Sequence, residues 1–300
     1  MESEKIRTSG VMGEQRLRGE RGQLLVLFAL MLVVILGVIA LAVDGGYAYV
    51  QRRRMQYAAD AAALAGARVL VLGGSDAAVE AAVREYATQN GADAYMWRRL
   101  SATRIEVRTS YTFGTFFAPV VGISSMTARA RSEADVSGVS AVRGVMPIAV
   151  REFPFLFDRS YVLWSNDSRP APGNFGWLDW NGGSRSTREL AENICNPGNS
   201  GLQRVGGWVW GAPGVRASHL VRYCLNQWIG KTVIVVLYDA VYGRGARTSY
   251  HIAGFAAFVL EGYSFHGHNK YIRGRFVRYI APGEGGGPNY GLTTIRLGPN

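Results

Sequence analysis

The strongest constraint on this chain is one apolar stretch near its start, LLVLFALMLVVILGVIALAV, which runs from Leu24 to Val43 without a charge or a proline. A helix of that length rises roughly 30 Å, which matches the hydrocarbon core of a bilayer. A surface helix of a soluble protein would carry a polar face, and this stretch has none. The sequence therefore predicts one transmembrane helix, and no second stretch reaches this length.

The charges around the span indicate its orientation. Five basic residues precede it, and Arg52, Arg53 and Arg54 follow it closely. This bias favours a cytoplasmic N-terminus. We therefore expect a single-pass protein of the cytoplasmic membrane with an extracytoplasmic C-terminal domain. Asp44 and the three arginines are predicted to be charges at the outer surface of the membrane, with the lipid bilayer as a partner. An alternative is cleavage by signal peptidase at the ALA sequence, 40–42.

Residues that favour helices continue beyond the span to Leu72, although the Asp44-Gly45-Gly46 sequence is predicted to kink or fray this helix. Small faces let helix backbones approach closely. Two interpretations are open: the extension packs on its own domain, or it presents an assembly face to neighbouring helices. The residues of this predicted contact face recur at helical spacing: Met55, Ala58, Ala62, Ala65 and Val69.

The rest of the chain predicts an α+β architecture. Ser75 is a good N-cap for a second helix that ends before Gly91, and two alternating segments from Arg104 and Ser125 predict strands. Aromatic residues, glycines and turn signals then increase. The predicted organisation is a cytoplasmic tail (1–21), a transmembrane and extended helix (22–72), a small αββ region with one helix and a strand pair (73–140), and an extracytoplasmic β-rich domain (141–300).

Two short helices are predicted in the β-rich domain, over Thr187–Ile194 and Val215–Trp228. Cys195 ends the first, and Cys224 lies within the second. Because extracytoplasmic cysteines are often paired, we expect a disulfide between them. The closed loop of about 30 residues would contribute roughly 3–4 kcal/mol of stability. Two separate buried thiols are the alternative.

The segment RGQLLVLFALMLVVILGVIALAVDGGYAYVQRRRMQYAADAAALAGA, Arg21 to Ala67, closely resembles the N-terminal segment of TadE/TadG-like proteins of Flp (tight adherence) pilus assembly. The arginine-glycine start, the single span, the aspartate at its exit, the arginine cluster and the AADAAALAGA run carry the resemblance. It implies a pseudopilin-like membrane protein that associates with other Tad/Flp pilus-assembly membrane proteins. A weaker resemblance to the outer half of TadG-related proteins begins at GNFGWLDW.

One departure from the family concerns processing. Prepilin-like members are cut after a glycine and carry a glutamate at the fifth position after the cut. The matching site here is Gly22–Gln23, and the fifth residue is Leu27. The resemblance therefore implies a candidate processing site that lacks the usual carboxylate.

The β-rich domain shows no enzymatic motif, so the sequence predicts a protein that is not an enzyme and has no cofactor or metal. His266 and His268 lie on one side of an extended segment, but a metal site needs a third ligand. The net charge of +11 is dispersed, and no zinc-finger or RNA-binding pattern accompanies it, so nucleic acid is not an expected partner.

Four tryptophans in the β-rich domain leave two interpretations open: aromatic core anchors, or faces that stack on the sugars of a cell-wall polymer. They are Trp177, Trp180, Trp208 and Trp210. The sequence thus predicts a membrane-anchored component of Flp/Tad-type pilus assembly with an outer docking domain. The alternative is a membrane-tethered adhesin or glycan-binding module unrelated to pili.

Overall fold

The structure is a computed structural model, which describes residues 17–164, 174–182, 186–266 and 269–298. Most of the predicted cytoplasmic tail lies outside these residues. The described α-helices are α1 (Leu17–Val71), α2 (Asp76–Gln89), α3 (Thr187–Cys195) and α4 (His219–Asn226). Short 3₁₀ turns occupy Ala118–Val121, Pro197–Ser200 and Gly245–Arg247.

Fourteen strands are described along the chain: β1 (Ala94–Arg99), β2 (Arg104–Gly114), β3 (Ser125–Val142), β4 (Val145–Arg151), β5 (Ser160–Leu163), β6 (Asn174–Asp179), β7 (Gln203–Arg204), β8 (Trp208–Pro213), β9 (Thr232–Tyr242), β10 (Ser249–His266), β11 (Asn269–Val277), β12 (Tyr279–Ile280), β13 (Glu284–Gly287) and β14 (Leu292–Leu297). The predicted α+β class is confirmed.

Helix α1 is continuous from the apolar span into the folded domain. The sequence predicted a kink or a frayed point at Asp44-Gly45-Gly46, and the helix does not fray there, because it runs through all three residues. It stops where the sequence indicates, at Gly73, whose φ of +84° is a conformation that favours glycine. Gly73 and Gly74 donate backbone hydrogen bonds to Leu70 and Val69, which satisfies the last carbonyls of the helix.

Helix α2 and the first sheet form the surface on which α1 rests. Ser75 caps α2 as predicted, and its hydroxyl accepts from the backbone of Ala78. The sheet runs β1-β2-β3-β14-β12, with β7 and β13 also paired to β3. Strand β1 was not predicted. The predicted boundary at 140/141 falls inside β3, and the C-terminal strands β12, β13 and β14 complete this sheet.

The second sheet holds the β-rich core. Five strands lie side by side in the order β10-β8-β6-β4-β9. The last strand, β9, also pairs with the first, β10, so that these five strands form a closed ring. β11 and β5 extend it along the other half of β10. Large buried side chains, among them Trp177, Phe258 and Phe276, fill one core cluster together with residues of α3 and α4.

The two short helices are present, but the second is shorter than predicted. Helix α3 matches its predicted range to within one residue. Arg216 has a positive φ, so the backbone becomes helical only after Ser218, whose hydroxyl accepts from the backbone N–H of Val221 at 3.3 Å. Helix α4 therefore begins at His219 rather than Val215.

Candidate interaction site at the end of the apolar span

Strand β2 runs alongside α1 in the opposite direction. A methyl group on Gly66 would meet the Ile105 side chain, and farther along β2 the Thr109 hydroxyl donates to the Met55 carbonyl at 2.9 Å. The hairpin that joins β2 to β3 then reaches Asp44 through its backbone. Residues farther along β2 therefore lie progressively nearer the apolar span, and the hairpin tip lies level with the end of that span.

Asp44 holds the tip of the β2–β3 hairpin, residues 115–124, against α1. Its carboxylate accepts backbone hydrogen bonds from Phe116 at 2.8 Å, Phe117 at 2.9 Å and Ala118 at 2.7 Å. These N–H groups open the 3₁₀ turn of the tip, where helical donors have no partner within the turn. Tyr47, one turn farther along α1, packs edge-on against Phe116. Asp44 is thus a buried clasp between two elements, and its predicted position at the membrane surface stays a prediction.

Two of the three arginines also make contacts within the chain. Arg53 donates to the Tyr57 hydroxyl at 3.0 Å, one turn along the helix. Arg54 donates to the carbonyl of Asn90 at 3.2 Å and so ties the end of α2 to α1. Its guanidinium also lies over the Tyr111 ring. All three arginines remain exposed, as the prediction of membrane-surface charges requires, but Arg54 has a structural contact as well.

The small contact face of α1 packs on the chain's own domain. Met55, Ala58 and Ala62 are fully buried, whereas Ala65 and Val69 are partly buried. The first of the two interpretations is therefore the observed one, and the assembly face for neighbouring helices is corrected. Met55, Ala58, Ala62 and Val69 lie in one core cluster with α2 and with the inner side chains of β2 and β3.

The close approach of α1 depends on small residues on both surfaces. The inner face of β3 carries Ala128, Ala130 and Ala134, which alternate with charged residues on the outer face. A methyl group added to Gly66 would come within 2.7 Å of Ile105 and 2.8 Å of Val83. In ARARSEAD, alanine alternates with charged residues, and this pattern predicted the strand. The same pattern also indicates an inner face of small side chains, which was not predicted.

Comparison with known protein families gives a match for this part of the chain. Residues 22–69 match the family described as "Putative Flp pilus-assembly TadE/G-like". The matched segment contains the apolar span, Asp44, the arginines and the small contact face. No curated protein and no solved structure matches the chain. The resemblance over the N-terminal segment is thus confirmed, and the match ends just before the end of α1.

The TadE/G-like segment lies within the one helix, among the described residues, that is long and apolar enough to cross a membrane. Side chains 24–43 are exposed along the whole span, except that Ala40 is only half-exposed. Such a helix suggests single-pass membrane anchoring. The backbone of Gly22 and Gln23 belongs to α1. The structure does not describe the side chains at these positions, and the candidate processing site stays a prediction.

The outer face of the first sheet, opposite the TadE/G-like helix, carries a charged cluster around Glu106. The Glu106 side chain is only 2% exposed, and its carboxylate binds Arg98 at 3.0 Å, Arg108 at 2.8 Å and Arg131 at 2.6 Å. Burial raises the pKa of Glu106, but the three guanidinium groups outweigh burial, so its pKa lies below the ordinary value. One buried carboxylate thereby joins three strands.

The predicted disulfide between Cys195 and Cys224 is present. It joins the end of α3 to α4, where both helices pack on the core of the second sheet. Among the described residues, no group of three or more His, Cys, Asp or Glu side chains is placed to hold a metal ion. His266 is exposed, and His268 lies outside the described residues.

The four tryptophans separate into two pairs. Trp177 is fully buried and donates to the Val215 carbonyl at 2.8 Å, so it is a core anchor. Trp180 packs partly buried against another core cluster. Full burial contradicts the predicted glycan contact at Trp177, whereas the contact at the partly buried Trp180 stays a prediction. In contrast, Trp208 is 55% exposed and Trp210 is 44% exposed.

Trp208 and Trp210 belong to an aromatic patch on one face of the second sheet. Trp208 lies opposite His251, and Trp210 lies opposite Ser249, which in turn lies opposite the exposed Tyr242. Since directly opposed residues share a face, the tryptophans, Tyr242 and His251 form one exposed surface. The Nδ1 of His251 is 2.6 Å from the Asp239 carboxylate.

Proposed function

We propose that this chain is a non-enzymatic, membrane-anchored component of Flp/Tad-type pilus assembly. Its N-terminus lies in the cytoplasm, and its folded domain lies outside the cytoplasmic membrane. The span associates with other pilus-assembly membrane proteins, and the outer domain docks on a further component. The observation that carries the proposal is the TadE/G-like match over residues 22–69, on a helix that joins an exposed apolar span to a folded domain without a break.

In this function, the apolar span contacts other membrane proteins, and the small contact face of α1 does not. Residues 24–43 are exposed in the folded chain except for the half-exposed Ala40, whereas Ala58 and Ala62 are covered by the first sheet and α2. Gly37, in the middle of the span, has open space around it. A small residue there lets a second transmembrane helix approach closely.

Two further features support an outer location for the folded domain. The excess of basic residues before the span favours a cytoplasmic N-terminus. The disulfide between Cys195 and Cys224 lies in the part of the chain that would then be outside, where oxidising conditions allow it to persist.

Site-specific photocrosslinking in the native host tests this function. A photoreactive residue at Val34 of the span is expected to capture Tad/Flp membrane proteins, and deletion of the gene is expected to reduce piliation. A photoreactive residue at Val162, exposed on the β-rich domain, is the control for position. Normal piliation after deletion, together with no pilus-assembly protein captured at Val34, would contradict the proposal.

The aromatic patch favours a second candidate function, that of a membrane-tethered glycan-binding module. Exposed aromatic rings on one sheet face match the apolar faces of sugar rings, and an exposed patch of this kind marks an interaction site. Full-length protein in detergent would then bind purified cell-wall polymer, and Trp208→Ala with Trp210→Ala would abolish binding, whereas Tyr57→Ala on α1 would not. Wall binding combined with unaffected piliation would favour this function over the first.

A further inference from the structure

The hairpin tip between β2 and β3, residues 115–124, exposes apolar side chains at the level where the span ends. Val120 is 90% exposed and Phe116 is 64% exposed. Phe117, Val121 and Ile123 are exposed as well. A contiguous exposed apolar patch marks an interaction surface of a protein, so the tip is a candidate contact for a partner that covers apolar surface.

The tip has a defined backbone conformation. Ala118–Val121 form a 3₁₀ turn with a proline near its start, and Gly122 closes it with a φ of +85°. At the base of the tip, the backbone N–H of Thr115 donates to the carbonyl of Ser124 at 3.2 Å. The turn therefore satisfies part of its own backbone while it directs Val120 and Val121 outward.

The charge pattern of the hairpin changes at the same level. Residues 109–128 contain no charged side chain, and the first charges on either side are Arg108 and Arg129. Arg52 on α1 lines the same cavity as these two arginines. Arg52 lies eight residues after Asp44, which is roughly 12 Å along a helix. The apolar tip therefore lies nearer the span than the basic belt of Arg52, Arg108 and Arg129, in the same order as hydrocarbon and headgroups in a bilayer leaflet.

The clasp at Asp44 places the tip beside the span. Asp44 follows the last apolar residue, Val43, directly, and it holds the backbone of Phe116, Phe117 and Ala118. One turn earlier, within the span, Ala40 is half-exposed while its neighbours are exposed. The exposed apolar side chains of the tip therefore lie beside the end of the apolar span.

We infer that the hairpin tip inserts into the outer leaflet next to the transmembrane helix, so that the folded domain is attached to the membrane at two points. The partner is bilayer lipid: hydrocarbon for Val120, Val121 and the phenylalanines, and anionic headgroups for the basic belt of Arg52, Arg108 and Arg129. The inference rests on the membrane anchoring proposed above and is independent of a role in pilus assembly.

Fluorescence quenching in vesicles tests the inference. The full chain, with an environment-sensitive dye on Val120→Cys, is reconstituted into phosphatidylcholine–phosphatidylglycerol vesicles that contain lipids spin-labelled near the headgroup end of their chains. Because Cys195 and Cys224 are paired, the new cysteine is the labelled thiol. We expect blue-shifted emission and several-fold stronger quenching at Val120 than at Val162→Cys, an exposed site on the β-rich domain.

A third labelled variant, Leu41→Cys in the span, separates the possible failures. Strong quenching at Leu41 with none at Val120, and iodide access at Val120 equal to that at Val162, would overturn the insertion while the anchoring stands. No quenching at Leu41 would overturn both. A Val120 site shielded from iodide yet unquenched by lipid would assign the tip to a protein partner or a second copy, and would also overturn the inference.

Discussion

The carboxylate of Asp44 accepts the backbone hydrogen bond of Ala118 at 2.7 Å, across 74 residues of chain. Together with the bonds from Phe116 and Phe117, it makes one aspartate the connection between the end of the span and the hairpin tip. An acidic side chain there acts as an N-terminal cap for the 3₁₀ turn. These hydrogen bonds therefore explain an aspartate at the exit of the span without any contact to the membrane.

Replacement of Asp44 by alanine is expected to release the hairpin tip. Three N–H groups would lose a charged acceptor, and bonds to charged groups are stronger than neutral ones. Hydrogen exchange of the amides of 116–118, measured on the full chain in nanodiscs, is expected to be faster by about tenfold or more. Asp135→Ala, at an exposed ion pair of the same sheet, is the control and should leave these amides unchanged. Equal protection in Asp44→Ala would show that the clasp does not hold the tip.

Replacement of Glu106 by glutamine is expected to destabilise the first sheet by about 1–3 kcal/mol, since three arginines lose their shared carboxylate. Thermal unfolding in detergent measures the change. Glu85→Gln, an exposed residue of α2, is the control and should shift the midpoint little. A midpoint for Glu106→Gln equal to that of Glu85→Gln would contradict the assignment.

The same carboxylate predicts a dependence on pH. The pKa of Glu106 is lower in the folded chain than its ordinary value of 4.5. Its contribution is therefore fully present above the unfolded-state pKa and is lost as the pH falls through the folded-state pKa. The difference in unfolding midpoint between wild type and Glu106→Gln should therefore be smaller at roughly pH 3 than at pH 7. A constant difference across this range would exclude Glu106 as the titrating group.

Local signals in the sequence predicted the elements that depend on neighbours in the chain. The span, the cap at Ser75 and the stop at Gly73 follow from hydrophobicity, capping and backbone preference within a few residues. The alternation from Arg104 and Ser125 predicted β2 and β3 for the same reason. The cysteine pairing followed from there being two cysteines in a domain expected outside the cytoplasm.

Contacts between distant residues were beyond such signals. The backbone partners of Asp44 could not be predicted, because they lie more than 70 residues away. Strand β1 has two arginines at its end and no clear alternation, and its pairing with β2 stabilises it. The first sheet is completed by β14, which pairs with β3 from the other end of the chain. No local pattern indicates which sheet a terminal strand will join.

Loss of the disulfide is expected to destabilise the β-rich domain. The bridge closes a loop with a sequence separation of 29, for which the chain-entropy relation gives about 3–4 kcal/mol. The double variant Cys195→Ser with Cys224→Ser should therefore unfold at a lower temperature than wild type. Addition of reductant should lower the wild-type midpoint toward that of the variant and leave the variant unchanged. A wild-type midpoint that reductant does not move would contradict a stabilising bridge.

The matched pair Ala62→Leu and Ala65→Leu tests where the small face of α1 acts. Ala62 is fully buried between α1 and the rest of its domain, whereas Ala65 is partly exposed on the same helix. Overpacking at Ala62 is expected to cost about 1–3 kcal/mol, and Ala65→Leu should cost less. Thermal unfolding of the purified chain, without any partner, measures both. If Ala62→Leu left the midpoint unchanged but abolished the crosslinks to pilus-assembly proteins that the proposed function predicts, the face would act between chains and not within one.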